Sequence, residues 1–328
     1  MFRVVISQSL PPMAVDSLRA LLGEGFEVIE AGGRPEAELL AALETASAMI
    51  GQTFTPAMGR AGAGLKLVQA QGAGTDGIER AALPPGCYVA NCYEHDISIA
   101  EFILGMALAV TRDIVRFDRN LRARGDFSPS GFYGGIPRRE LRGRSMGIVG
   151  YGRIGRETAR LARAFGMTVL ATKATPDPAL AERDGLAWLG GADQLDELLA
   201  RSDYVVVCVP LTEATRGLIG AAQFARMKPD AYLINIARGP VVDEAALYAA
   251  LRDQRIAGAA IDVWYHYPPT GQGRPGHFPF EELDNLVMTP HVAGWTEGTV
   301  SRRVEVMADN IRRVAAGEPP RNLVAVGK

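Results

Sequence analysis

One stretch constrains this chain more than any other: Arg144-Ser145-Met146-Gly147-Ile148-Val149-Gly150-Tyr151-Gly152-Arg153-Ile154-Gly155, continuing through Phe165. An apolar run from Met146 to Val149 meets three glycines spaced G-x-G-x-x-G, and apolar residues then recur at helical spacing at Ile154, Ala159, Leu161, Ala162 and Phe165. The pattern predicts a strand, a tight turn and a helix. Gly150 and Gly152 let the backbone turn sharply and approach a pyrophosphate, and Gly155 lets the helix lie close to the strand. The first helical residues, Arg153 and Ile154, bring the amide end of the helix to the anion. Such a glycine spacing also occurs in plain turns. Here a further strand, Thr168 to Ala171, follows where a βαβ unit needs it.

The rest of the chain repeats this alternation on both sides. Before the turn, Val4-Val5-Ile6, Phe26 to Ile29, Ala48-Met49-Ile50, Leu67 to Ala70 and Tyr88-Val89-Ala90 read as strands, with helices over Met13 to Leu22 and Pro35 to Leu43. After it come Tyr204 to Val209, closed by Pro210, then Ala231 to Ile236, Ala257 to Val263 and the short Leu286-Val287-Met288. A helix is expected over Asp243 to Gln254, and the last over Glu297 to Ala315. The fold class is therefore α/β, with parallel sheets flanked by helices. A length of 328 residues, 48% of them hydrophobic, supports two domains. The long Ala- and Leu-rich pattern from Ile97 to Arg124 reads as one helix passing between them. Ligands of open α/β sheets collect at the carboxyl ends of strands, which marks the loops Gln71 to Asp76 and Asn91 to His95 as site candidates. His95 is then a substrate-binding candidate, or merely a helix cap.

A net charge of −2 favours neither nucleic acid nor an acidic membrane surface as a partner. Cys87, Cys92 and Cys208 are odd in number, lack C-x-x-C spacing, and read as reduced thiols of a cytoplasmic protein, with no metal site expected. The start of the chain reads as a first strand rather than a signal peptide.

Three more motifs follow the glycine turn in order: Ile234-Asn235-Ile236-Ala237-Arg238-Gly239-Pro240-Val241-Val242-Asp243-Glu244, then Ala257 to Val263, then Thr289-Pro290-His291-Val292-Ala293-Gly294. With Gly72-Ala73-Gly74 and the Ile99-Ala100-Glu101 segment, they make the chain resemble the D-isomer-specific 2-hydroxyacid dehydrogenase family over nearly its whole length. The resemblance implies a discontinuous, flavodoxin-like substrate-binding domain from residues 1–98 and 295–328, a Rossmann-type dinucleotide-binding domain from 99–294, and a homodimer. It also implies a backbone cradle for the substrate carboxylate at Ala73 and Gly74. Cofactor contacts are implied at Val209, Pro210, Ile236, Ala237 and Gly294, and at Asp262 near the nicotinamide.

The expected reaction is NAD(P)-dependent hydride transfer between nicotinamide and a small 2-hydroxy or 2-oxo acid. Arg238, at a strand end, suits the binding of carboxylate and carbonyl, since a guanidinium offers two parallel hydrogen bonds and stays charged. His291 suits the general acid/base task, with an unperturbed pKa of about 6.5. Two positions depart from the family pattern. Tyr267 stands where a Glu usually pairs with the catalytic imidazole, and is expected beside His291. Lys173 stands where an NAD enzyme usually has an acidic residue for the ribose hydroxyls, so NADP(H) is expected over NAD(H). Two alternatives stay open: a dinucleotide-sensing dimeric interaction protein, as the related C-terminal binding protein corepressors are, and an oxidoreductase acting on formate or another small anion.

Overall fold

The computed structural model describes every residue from Met1 to Lys328 and divides the chain into two compact units: Met1–Glu94 with Trp295–Lys328, and His95–Gly294. In the first unit the strands are β1 (Phe2–Ile6), β2 (Phe26–Glu30), β3 (Ala48–Ile50), β4 (Leu67–Gln69) and β5 (Tyr88–Ala90). They pair in parallel in the order β2-β1-β3-β4-β5, the flavodoxin-like order. The C-terminal strand Leu323–Val326 adds antiparallel to β5.

Side chains alternate across this sheet, as a period of two requires. Val4, Ile6, Ala48, Ile50 and Leu67 pack with Leu18 of helix Pro12–Leu22 and Ile311 of helix Glu297–Ala315 on one face. Val5, Met49, Val68 and Val89 pack with Leu39, Leu43 and Met58 on the other. Both faces are covered, which is why Val4–Ile6, Ala48–Ile50 and Leu67–Val68 read as unbroken apolar runs. Each fully buried Val, Leu or Ile contributes roughly 1.5–3 kcal/mol over an exposed one.

The second unit holds β6 (Ser145–Val149), β7 (Thr168–Thr172), β8 (Trp188–Gly190), β9 (Tyr204–Val207), β10 (Tyr232–Asn235), β11 (Gly258–Ile261) and β12 (Leu286–Met288), all parallel, in the order β8-β7-β6-β9-β10-β11-β12. Strand order reverses between β6 and β9, so the glycine turn after β6 sits at the switch point where dinucleotides bind in such sheets.

The expected single helix from Ile97 to Arg124 is a correction. The chain forms one helix over Asp96–Thr111 and another over Ile114–Arg124, broken at Asp113, whose φ of 52° is left-handed. Asp tolerates that conformation better than most residues. Its carboxylate then pairs with Arg116 at 2.7 Å and Arg138 at 2.8 Å, which fixes the bend. The helix Pro56–Ala61 was not anticipated, although its signal is in the sequence: Thr55 caps the amide of Met58, and Pro56 opens the first turn. The short strands β8 and Leu323–Val326 were also missed.

All three cysteines are free thiols, Cys87 and Cys92 buried and Cys208 partly so, and burial pushes each up to about 12. No helix is long and apolar enough to cross a membrane.

Candidate active site

At the glycine turn each glycine answers to a different constraint. Gly150 has φ 100°, and a Cβ there would lie 2.7 Å from Cγ1 of Val209 at the end of β9. At Gly155 a Cβ would lie 2.9 Å from the Gly150 carbonyl oxygen and 3.0 Å from Ile148, so only glycine lets the helix approach the strand. Gly152 is different: a Cβ there would meet nothing within 4 Å. The helix Arg153–Ala164 that follows has no side-chain cap and no acidic residue in its first turn. Its leading amides and the open side of Gly152 together fit a pyrophosphate. Lys173, just beyond β7, donates from Nζ to the Tyr151 carbonyl at 3.2 Å, which places its ammonium against the turn. The residue types and geometry here suit a dinucleotide.

Arg238 follows β10. The buried amide side chain of Asn235 clamps the intervening turn, accepting from the Ala237 amide at 3.1 Å and donating to the Arg238 carbonyl at 3.2 Å. A Cβ on Gly239 would collide with the Trp264 carbonyl, so glycine lets this turn pack directly on the segment after β11. The Arg238 guanidinium donates to the Ala237 carbonyl at 2.8 Å. Ile236 and Ala237 lie buried beneath it.

His291 sits in the loop after β12 with φ 59°, a left-handed conformation that costs a non-glycine residue about 1 kcal/mol. Asp262 holds that loop. Its buried carboxylate accepts from the Thr289 hydroxyl at 2.7 Å, the Val292 amide at 2.9 Å and the Ala293 amide at 3.0 Å. The Trp264 indole donates to the Thr289 carbonyl at 2.8 Å from the same side. Asp262 therefore has a positioning role toward His291, beside the cofactor contact that the resemblance implies.

Tyr267 lies next to His291, with its Oη 2.9 Å from Nδ1 of the imidazole. That Oη also accepts the Trp264 amide at 3.2 Å. An amide can only donate, so Oη accepts from it, and the contact between Oη and Nδ1 is a hydrogen bond whose donor follows the imidazole tautomer. Packing around the ring and the Arg238 charge hold His291 below the usual imidazole value, opposed by Asp262. Burial pushes the Tyr267 phenol up, countered by the Trp264 amide and Arg238.

In the first unit, the loop after β4 is shaped by two side-chain amides that sequence reasoning did not single out. Gln52 donates to the Gly74 carbonyl at 2.8 Å and accepts from the Gly72 amide at 3.1 Å, while Asn91 donates to the Ala73 carbonyl at 2.8 Å. In a trans peptide the N–H points away from the preceding carbonyl, so the Gly72 carbonyl at the Cys92 amide and the Ala73 carbonyl at Asn91 direct the amides of Ala73 and Gly74 the other way. Nearby, Arg303 donates to the Tyr93 carbonyl at 3.3 Å and lies beside Gly72. In the second unit His95 starts the helix Asp96–Thr111 through its carbonyl, which the Ile99 amide and Ser98 hydroxyl approach, and its side chain makes no cap. A Cβ on Gly294 would lie 3.5 Å from it. Pro210 is exposed and accepts from the Thr215 hydroxyl at 2.6 Å.

The sequence of the second unit decides the family. Residues 104–293, more than half of the chain, match the D-isomer specific 2-hydroxyacid dehydrogenase NAD binding domain. The chain belongs to this family. Among curated relatives, D-3-phosphoglycerate dehydrogenase of Methanocaldococcus jannaschii is 34% identical over 318 residues, which cover 95% of this chain and 58% of that protein. Glycerate dehydrogenase of Methylorubrum extorquens is 36% identical, covering 78% of this chain and 77% of that one. The chain thus spans little more than half the length of its phosphoglycerate dehydrogenase relative. Among solved structures, apo D-mandelate dehydrogenase of Rhodotorula graminis superposes with a TM-score of 0.84 at 28% identity, covering 99% of this chain and 98% of that one.

Proposed function

We propose that the chain is an NAD(P)-dependent reductase of small 2-oxo acids, working reversibly as a 2-hydroxyacid dehydrogenase. The observation that carries this reading is the hydrogen-bonded group Tyr267–His291, held by Asp262 and Trp264 on the same sheet edge as Arg238 and the open glycine turn. When bound at the turn, the dinucleotide supplies or takes up a hydride. Arg238 binds the substrate carboxylate and carbonyl oxygen through two parallel hydrogen bonds, an arrangement that Lys cannot reproduce. His291 presents Nε2 to the carbonyl oxygen and handles the proton of the developing alkoxide.

NADP(H) is the preferred cofactor in this reading, because the Lys173 ammonium offers charge for a 2′-phosphate where a carboxylate would repel it. The enzyme works as a homodimer. Supporting this, Phe132 is 97% exposed and Ile136 76% exposed within a short stretch that also bares Phe127 and Tyr133, more apolar surface than a solitary chain commonly shows. A panel of 2-oxo acids tested with NADPH and NADH, read at the nicotinamide absorbance, tests the reading. Consumption by wild type and a loss of about 1,000-fold in kcat/KM in both Arg238→Ala and Arg238→Lys is expected. Near wild-type rates in Arg238→Lys overturn the role of Arg238, and no consumption with any 2-oxo acid overturns the function.

A further inference from the structure

Tyr267 does more than line the site. We propose that its phenol is the proton store for carbonyl reduction, with His291 passing the proton on by exchanging one ring nitrogen for the other. The proposal rests on the reductase reading above. Its physical basis is two hydrogen bonds: the Trp264 amide donates to Tyr267 Oη at 3.2 Å, and Oη lies 2.9 Å from Nδ1 of His291. With the Trp264 amide already donating to Oη, the relay has the phenol proton along the line to Nδ1, which leaves Nε2–H as the group for substrate.

A carboxylate at this position could only accept, and would therefore favour an imidazolium that is itself the acid. A phenol both donates and accepts, so the neutral pair already holds a proton at each end of the ring. The step balances as follows. The hydride reaches the carbonyl carbon, and the C=O π pair becomes a lone pair on oxygen. That oxygen takes the Nε2 proton, the ring electrons shift, and Nδ1 takes the phenol proton. The imidazole stays neutral with its proton on Nδ1, the product is the neutral hydroxyl, and the negative charge rests on Tyr267 Oη.

That charge is met by the Trp264 amide and by the nearby guanidinium of Arg238, with Asp262 the opposing charge. These are the charged groups that act on the pair. Between turnovers a proton from water reaches Nε2 and Nδ1 returns its proton to the phenolate, which resets both groups; Tyr267 is 53% exposed and so open to solvent. The relay also answers a difficulty. An imidazole held below its usual value is mostly neutral at pH 7, and imidazolium-driven reduction weakens there.

Two measurements decide the matter. The first is kcat/KM for 2-oxo acid reduction against pH at saturating cofactor. Wild type should stay level through neutrality to about pH 9, since the store is a phenol with an unperturbed pKa near ~10. Tyr267→Phe keeps the ring but not the proton, so reduction must rely on imidazolium; its rate should fall about 30-fold or more at pH 8 and recover toward wild type near pH 5. Tyr267→Glu should restore the rate at pH 7 but lose it by pH 9, because the proton then resides on the imidazolium. If the Phe and wild-type profiles overlay, the phenol stores no proton and the relay is wrong.

The second measurement needs no turnover. Nitrogen-15 shifts of the imidazole, assigned among the four histidines with His291→Gln, should show bare Nδ1 and protonated Nε2 at pH 8 in wild type. A dominant Nδ1–H form there reverses the hydrogen bond and refutes the relay while leaving the reductase reading intact. Failure of wild type to consume NAD(P)H with every 2-oxo acid removes reading and relay together.

Discussion

The glycine turn after β6 and the Thr289–Ala293 loop after β12 end strands of one sheet, and they are held in opposite ways. The first is shaped by what is missing: Gly150 and Gly155 leave out side chains that would strike Val209 and the Gly150 carbonyl. The second is shaped by what reaches it from elsewhere, the Asp262 carboxylate and the Trp264 indole. A turn fixed by close packing tolerates little added at its own positions. A loop fixed by remote polar partners depends on those partners instead, and it can hold His291 in a left-handed conformation that its own residues do not favour.

The contrast breaks most visibly at Asp262. Asp262→Ala removes three hydrogen bonds to a buried carboxylate, and should cost about 3 kcal/mol of stability while leaving the Val292 and Ala293 amides without partners. Hydrogen exchange at those two amides should accelerate with dinucleotide binding at the turn nearly unchanged; retained protection would mean the loop holds itself. Gly155→Val is the converse experiment. It should lower stability by about 1–3 kcal/mol through overpacking against Ile148 and weaken dinucleotide binding, with the Val292 and Ala293 amides still protected.

Smaller effects sharpen the same contrast. Lys173→Asp removes one charge-assisted contact to a 2′-phosphate and should shift the NADPH to NADH ratio of Kd by about 10- to 100-fold toward NADH. A wild type that already favours NADH contradicts this. Gly152→Ala should leave thermal stability within about 0.5 kcal/mol, since its Cβ enters open space at an ordinary φ of −101°. Titration should nonetheless show binding weakened about 10-fold, as the methyl takes up room a pyrophosphate needs. Destabilisation with unchanged binding would show that the open side of Gly152 serves the fold instead.

The same division explains how much was legible in the sequence. The glycine turn carries its own signal, and so do strands such as Tyr204–Val207, which are apolar on both faces. Arg238 and His291 were placed by motifs matching a known family, and Tyr267 by its offset from Asp262. What escaped depends on partners far along the chain. Nothing local marks Gln52 or Asn91 as the side chains that hold the Gly72 amide and the Ala73 and Gly74 carbonyls, because those contacts span 18 to 22 residues. The bend at Asp113 escaped because apolar periodicity runs through it without glycine or proline, and the Arg138 side of its ion pair arrives only after the next loop.

Trp264 touches three of these features at once. Its carbonyl abuts Gly239 beside Arg238, its amide engages Tyr267, and its indole holds the His291 loop at Thr289. Arg238 and the Tyr267–His291 pair are thereby tied to one nearly buried residue, through its backbone on one side and its indole on the other. Substitutions around it should accordingly be strongly epistatic: the effect of changing Arg238, Tyr267 or Thr289 will depend on whether Trp264 is intact, and double-mutant cycles through it will not add.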